Sequence, residues 1–231
     1  MLTLGIDTCT RRLHLALLDR GNEVIGEVAR DVRTHTGLLT PMVEVLLEGA
    51  GSSVGDLEAI GVVSGPGSFT GLRIGLATAA GLGSGLHVPV HGLGSLEALA
   101  RFLETVGQGL ALLDARRSEV YVQSFRRAES GVRVLTEPAA MPPGEILVRF
   151  PSPAWAVGDG VPLVDHWPAA CSLIPRVPNL AVPAARAALE AVKAGGEPAP
   201  LEAVYVRDPD VRPSGRFSGG VMRRPPGRGR R

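Results

Sequence analysis

Apolar and polar positions alternate from the first residues of the chain. Leu2, Leu4 and Ile6 fall on one side of an extended run, as do Leu13, Leu15 and Leu17, and Asn22–Arg30 continues mostly apolar after a glycine. Asp7–Arg12 and Asp19–Asn22 supply turn residues between these runs, and period-2 segments joined by turns predict a β-meander. From Thr36 to Ala50 the spacing becomes helical, through Leu38, Leu39, Met42, Val43, Leu46 and Leu47, and Gly49–Gly51 ends it. Pro41 within that run makes the helix either start or kink there. Leu57–Ser64 predicts a short buried strand, Gly65–Gly71 a glycine-rich turn, and the residues after it a second helix to about Gly85. Val88–His91 predicts another strand, and Ser95 the cap of a helix to about Thr105. Strands alternating with helices of this length point to parallel β-α units.

The same order then begins again. Gly109–Leu113 and Val120–Phe125 read as strands around the turn Asp114–Glu119, with Val132–Thr136 as a third. Residues 137–183 carry much of the proline and the pattern weakens. Ala154–Gly158 predicts a strand, Leu180–Ala194 a helix and Ala203–Arg207 a last strand. The chain thus reads as two β-β-β-led halves, the second reduced.

Composition narrows the class. With 231 residues and 24.1 kDa, one large or two small domains are expected. Apolar residues at 45% and charged residues at 20% exclude a disordered, collagen-like or coiled-coil chain. Two cysteines are too few for a disulfide scaffold and fit a reducing compartment. Met1–Thr10 lacks the basic and apolar regions of a signal peptide, and no run approaches membrane-spanning length. The expected location is the cytoplasm.

The net charge of +1 hides an asymmetry. Residues 207–231 hold 8 arginines and 2 aspartates, giving +6, whereas 1–206 carry −5. Every basic residue except Lys193 is arginine. The Pro/Gly/Arg stretch 207–231 cannot bury enough apolar surface to order itself, so disorder is expected. It serves either as a solubilising segment or as a phosphate-contacting arm for nucleic acid.

Gly67, Gly71, Gly75, Ala79 and Gly83 recur every fourth residue, a single helical stripe. Each helical glycine costs roughly 1 kcal/mol relative to alanine, and close approach of another backbone offsets it. That backbone belongs either to the chain's own sheet or to a second chain, contacted by Phe69, Leu72, Arg73 and Leu76 on other faces. The segment lacks the lysine of a Walker loop and the last glycine of a dinucleotide fingerprint. His87 and His91 stand about 13 Å apart along a strand, too far for one metal ion. Cys9 reads as a small buried residue rather than a nucleophile paired with His35. Asp114, Arg116, Arg117 and Glu119 form either a charged hairpin or part of a site.

Five segments occur in a telling order: Leu4-Gly-Ile-Asp-Thr8, His35-Thr36 with Leu39 and Pro41, Gly65-Pro-Gly-Ser-Phe-Thr-Gly-Leu-Arg-Ile-Gly75, Asp114-Ala-Arg116 with Glu119-Val-Tyr121, and Tyr205-Val-Arg207. Through them the chain resembles the TsaB (YeaZ) family, the non-catalytic partners in bacterial threonylcarbamoyladenosine synthesis on tRNA. The resemblance covers residues 1–126 and Tyr205–Arg207; 137–200 match only loosely. It implies an α/β fold of the actin-like, Hsp70-like ATPase (ribonuclease H-like) type, with two tandem β-β-β-α-β-α-β-α-type halves. Residues 1–106 would form the half carrying the partner-binding helices, 107–206 the reduced half and 207–231 the arginine-rich tail.

In active members of that superfamily, acidic residues at the first turn of each half hold metal and phosphates. Asp7 and Asp114 occupy these positions, but Arg116 and Arg117 replace the glycines of a phosphate cradle. His35 stands alone where the catalytic paralogue TsaD has metal-binding histidines, so no metal and no cofactor are expected. The resemblance implies a heterodimer with TsaD through His35, Leu38, Leu39, Met42 and Leu46 on the first helix, and Phe69, Leu72, Arg73 and Leu76 on the second. The small-residue stripe would let the second helix come close to its neighbour. The same surface could pair two copies of the chain. An accessory ATPase of the TsaE type would complete the set, with tRNA met indirectly or through the arginines. The implied function is activation of TsaD in forming threonylcarbamoyladenosine at position 37 of tRNAs reading codons that begin with A. The alternative is an ATPase or small-molecule kinase using Asp7; a peptidase ranks last, for want of a metal pair or nucleophile triad.

Overall fold

The computed structural model describes residues 2–10, 12–31, 37–195 and 201–206. His35, Thr36, Arg207 and the rest of the arginine-rich stretch lie outside them.

The alternating N-terminal runs form an antiparallel meander of β1 (Leu2–Asp7), β2 (Arg12–Leu18) and β3 (Val24–Asp31). β4 (Leu57–Val63) joins β1 in parallel and β5 (Val90–Leu93) joins β4, giving the order β3-β2-β1-β4-β5. Leu4, Ile6, Leu13, Leu15 and Leu17 all point to one face because side chains alternate along a strand. On that face they meet α1 (Leu39–Gly49) and α2 (Phe69–Leu86) through Leu39, Val43, Leu46, Leu47 and Ala79. Pro41 is the third residue of α1, where its missing N–H leaves no bond unmade, so the helix starts rather than kinks there.

The second sheet repeats the first. β6 (Gly107–Arg116), β7 (Glu119–Ala128) and β8 (Gly131–Val134) are antiparallel; β10 (Trp155–Val157) and β11 (Ser172–Ile174) are parallel to β6. Its order β8-β7-β6-β10-β11 matches β3-β2-β1-β4-β5 strand for strand and direction for direction. This duplicated topology is that of the actin-like ATPases. The second half is reduced in helices, not in strands. Where the first half inserts α1 and α2, the second has β9 (Ala139–Met141) paired to β7, the one-turn α4 (Ile146–Arg149) and two 3-10 turns, Pro143–Glu145 and Val161–Leu163.

The remaining two helices are exchanged between the halves. α3 (Ser95–Arg101) follows β5 but buries Leu96, Leu99 and Ala100 with Leu113, Phe125, Trp155 and Val157 of the second sheet. α5 (Ala181–Lys193) follows β11 yet lies on the first sheet, where Ala181 and Ala185 meet Ala16 and Leu18. Gly5 and Gly61 make that contact possible: a Cβ on either would enter the backbone of α5 at Ala181 or Ala184.

The predicted last strand does not form. Residues 201–206 carry no ladder, and Val204 N–H makes a bond to the Ser64 carbonyl at 2.7 Å. β4, which leads into Ser64, already has β1 on one side and β5 on the other, so the segment that reaches Ser64 meets no open edge of that strand.

Candidate functional site

Asp7 ends β1 with no exposed surface. Its Oδ1 accepts the Cys9 N–H at 2.8 Å, and its Oδ2 lies 2.9 Å from His14 Nδ1 and 3.3 Å from the Thr10 hydroxyl that donates to it. A carboxylate that binds a metal–phosphate group needs an open face, whereas Asp7 has no exposed surface and turns three of its roughly four acceptor positions to groups inside the fold. Cys9 donates its Sγ–H to the Val63 carbonyl at 3.1 Å. Burial, reinforced by the neighbouring Asp7 charge, pushes its thiol well above the ordinary range, which leaves an inert thiol.

The equivalent turn of the second half is closed differently. Asp114 Oδ1 accepts the Arg116 N–H at 2.8 Å, and the Arg116 guanidinium reaches Asp114 Oδ2 at 3.4 Å. The Asp114 N–H donates to Asp159 Oδ1 at 2.9 Å. Arg116, Arg117 and Ser118 all adopt left-handed φ, at 63°, 55° and 60°. That conformation costs a side-chain-bearing residue roughly 1–2 kcal/mol and is the one glycine adopts freely. Three consecutive side-chain-bearing residues therefore hold a backbone conformation that glycine adopts freely.

Between the halves opens a cleft of about 1160 Å³ whose lining includes His14 but not Asp7. Arg127, Arg176 and Arg186 line it together with Glu27, Glu104 and Glu129, so its charges nearly balance.

The outer surface of α1 and α2 differs from the expected interface. Leu39, Leu46 and Leu72 are 2%, 7% and 2% exposed and belong to the chain's own core, so they are not available to a partner. The cause is register. Leu39, Val43, Leu46 and Leu47 form the inward stripe of α1, whereas Leu38, Met42 and Val45 form a second apolar stripe at i, i+4 and i+7. Leu38 and Val45 are exposed, and Met42 is half-buried between them. Spacing alone does not say which of two overlapping stripes faces the sheet, so nothing in the sequence singles out Val45.

The small-residue stripe is also internal. A Cβ on Gly71 would enter the Thr8 carbonyl, one on Gly75 the Thr8 hydroxyl and one on Gly83 the Val90 side chain. Gly67 precedes the helix and faces Cys9, while Ala79 has no exposed surface. The stripe seats α2 on the chain's own first turn, where the Thr8 hydroxyl donates to the Gly71 carbonyl at 2.7 Å. Ser68 caps the helix by accepting the Gly71 N–H at 3.3 Å. On the outward side, Arg73, Ala77, Ala80, Gly81 and Ser84 are exposed, so most of this face carries small side chains. Leu76 is half-buried between the two cores, and Phe69 is half-covered by the returning chain. The Tyr205 ring lies 5.5 Å from Phe69, and the Arg73 guanidinium lies 3.7 Å above Phe69 and donates through Nε to the Tyr205 hydroxyl at 3.3 Å. His87 is exposed at the end of α2, while His91 is buried on β5 with Nε2 lacking a partner among the described residues.

A protein-family model described as "TsaD: tRNA N6-adenosine threonylcarbamoyltransferase" matches residues 24–160, more than half of the chain. YeaZ from Pseudomonas aeruginosa superposes with a TM-score of 0.70 at 29% identity, over 88% of this chain and 99% of that one. The tRNA threonylcarbamoyladenosine biosynthesis protein TsaB of Escherichia coli is 37% identical over 135 residues, 57% of this chain and 58% of that protein. The chain belongs to the TsaB (YeaZ) family.

An uncharacterized protein of Mycobacterium tuberculosis is 40% identical over 213 residues, covering 91% of this chain and 93% of that one. In a Mycobacterium leprae relative the matched stretch is 56% of the protein's length. The segment by which the TsaB resemblance is most specific, Gly65–Gly75, is the one that builds the start of α2 against the Asp7 turn. The Ser95 hydroxyl fixes it from α3 by donating to the Pro66 carbonyl at 2.6 Å.

Proposed function

We propose that the chain is the non-catalytic partner of a TsaD-type transferase, binding and activating it in the formation of threonylcarbamoyladenosine at position 37 of tRNAs that read codons beginning with A. Relatives named TsaB tie it to tRNA threonylcarbamoyladenosine biosynthesis. The observation that carries the non-catalytic reading is the sealing of Asp7: the fold of an ATPase is kept, while the carboxylate that would serve the phosphates is spent on Cys9, Thr10 and His14. The residues 1–106 supply the docking face, and 107–206 brace it. The face consists of Leu38, Met42 and Val45 at and along α1 with Phe69 and Arg73 on α2, supported by the exposure of Leu38, Val45 and Arg73 and by the small outward side chains that permit close helix approach. The same face pairs two copies when TsaD is absent. An accessory ATPase of the TsaE type acts with the pair, and the assembly works in the cytoplasm.

The test is threonylcarbamoyladenosine yield on unmodified tRNA with the adenylate-forming enzyme, the transferase and the accessory ATPase, with and without this chain. Product that depends on the chain, and persists with Asp7→Asn in a folded variant, supports the proposal. An unchanged yield, or ATP hydrolysis by the chain alone that vanishes with Asp7→Asn, overturns it.

A further inference from the structure

Leu201–Val206 returns from the second half to the start of α2 as a strap with apolar and backbone anchors of its own. Leu201 packs against the core of the first half and Ala203 against the core shared between the halves, and Val204 N–H bonds to the Ser64 carbonyl at 2.7 Å. Gly65, at a φ of 101°, admits the strap: a Cβ there would lie 2.8 Å from the Val204 carbonyl oxygen. So anchored, the strap delivers Tyr205 to Arg73. The Arg73 guanidinium lies 3.7 Å from the centre of the Phe69 ring and donates through Nε to the Tyr205 hydroxyl at 3.3 Å. The Tyr205 ring closes on Phe69 with centres 5.5 Å apart.

Arg73 is the one charged residue among the eighteen of α2, and its side chain is exposed. One face of the guanidinium rests on Phe69 and its Nε edge on Tyr205, while the two terminal nitrogens meet no acceptor among the described residues. An arginine held in this way has already lost the rotamer freedom that binding would otherwise cost it. Its open end is a planar pair of donors that matches a carboxylate with two parallel bonds.

We infer that the strap presents Arg73 as a preorganised fork for a carboxylate of the transferase, and that Tyr205 is the residue that positions it. This rests on the docking face proposed above. A protein carboxylate fits better than a nucleic-acid backbone, which calls for several cations together. Here one cation stands alone on a helix whose outward side continues as Ala77, Ala80, Gly81 and Ser84.

The test titrates the full-length transferase with the parent chain, Arg73→Gln, Arg73→Lys, Tyr205→Phe and the double variant Arg73→Gln/Tyr205→Phe, at low and high salt. Arg73→Gln is expected to weaken binding about 30-fold and to flatten its salt dependence. Arg73→Lys restores the charge without the fork and recovers only part of the loss. Tyr205→Phe keeps the ring on Phe69 and removes only the hydroxyl, so it should cost about fivefold in the parent and nothing further beside Arg73→Gln. A Tyr205 that merely braces the fold would give the same loss in both backgrounds, and that result overturns its positioning role. A second readout needs no partner: the Arg73 Nε–H proton resonance, identified by its absence in Arg73→Gln, should exchange with water faster in Tyr205→Phe. Unchanged exchange also overturns the positioning role.

Val45→Asp separates this inference from the reading it rests on. If Val45→Asp abolishes capture while Arg73→Gln binds like the parent, the docking face stands and the carboxylate contact falls. Weakened self-association or tRNA binding in Arg73→Gln, with capture intact, assigns Arg73 to a second copy or to RNA and overturns the inference. A parent chain that captures no transferase overturns the proposed function, and the carboxylate contact with it.

Discussion

His14 Nδ1 lies 2.9 Å from Asp7 Oδ2, with side-chain exposures of 2% and 0%. The two residues face each other in register across β1 and β2, so the meander itself brings them together. Through its bonds to Cys9, Thr10 and His14, the Asp7 carboxylate organises the turn that follows β1.

Asp7→Ala leaves the Cys9 N–H and the His14 ring without their partner in a buried site. Removing one member of such a pair destabilises by about 3–5 kcal/mol. Urea unfolding should show a loss in that range; a change under about 0.5 kcal/mol would mean that water replaces the pair.

Two glycines of α2 make a matched comparison. Gly71→Ala drives a Cβ into the Thr8 carbonyl, backbone against backbone, and should destabilise by several kcal/mol. Gly81 has open space around its missing Cβ, so Gly81→Ala should stabilise by roughly 0.5–1 kcal/mol through helix propensity. Thermal melts of both variants decide; equal shifts would contradict the inward stripe.

Capture of the transferase separates core from surface. Val45→Asp should abolish co-purification with a Tm within about 2 °C of the parent, since Val45 is 64% exposed. Leu39→Asp buries a charge and should unfold the chain instead. A folded Val45→Asp variant that still captures the transferase moves the docking face elsewhere.

The spacing of Leu38, Leu39, Met42 and Leu46 made a helix legible, and the motif Gly65–Gly75 made the family legible. Which side of each helix meets the sheet was not, because the two apolar stripes of α1 overlap and small residues occur on both faces of α2. The strand repeat was visible from Leu2 to Val134; the exchange of α3 and α5 was not, since nothing local in a helix says which of two sheets it covers. The predicted strand at Ala203–Arg207 failed for a related reason. Valine and tyrosine suit a strand, but the place the segment reaches is the crowded junction of Ser64, Gly65 and Phe69.

Burial holds His91 below its ordinary imidazole range. The unfolded chain takes up the proton near pH 6.5 and the folded chain resists it, so His91 favours folding above that pH and costs stability as pH falls from about 7 towards 5. His91→Gln should lower the steepness of Tm against pH in that window. Parallel curves for the two proteins would exclude His91 as a source of acid sensitivity.

Cys9 is buried with a raised pKa, whereas Cys171 is partly exposed. A thiol reagent at pH 8 should modify one sulfur in the native protein and two after unfolding. Rapid modification of both in the native state would show that the Asp7 turn opens.

The helix exchange has a consequence for how the molecule is made. During synthesis all five strands of the first sheet are complete by Leu93, yet the face holding Thr3, Gly5, Ala16 and Leu18 has no cover until α5 has been translated, 100 residues later at Lys193. The first half therefore cannot finish folding on the ribosome ahead of the second, as consecutive domains do. Translation arrested anywhere between the two leaves that face, with Thr3, Gly5, Ala16, Leu18 and Gly61, without the helix that covers it.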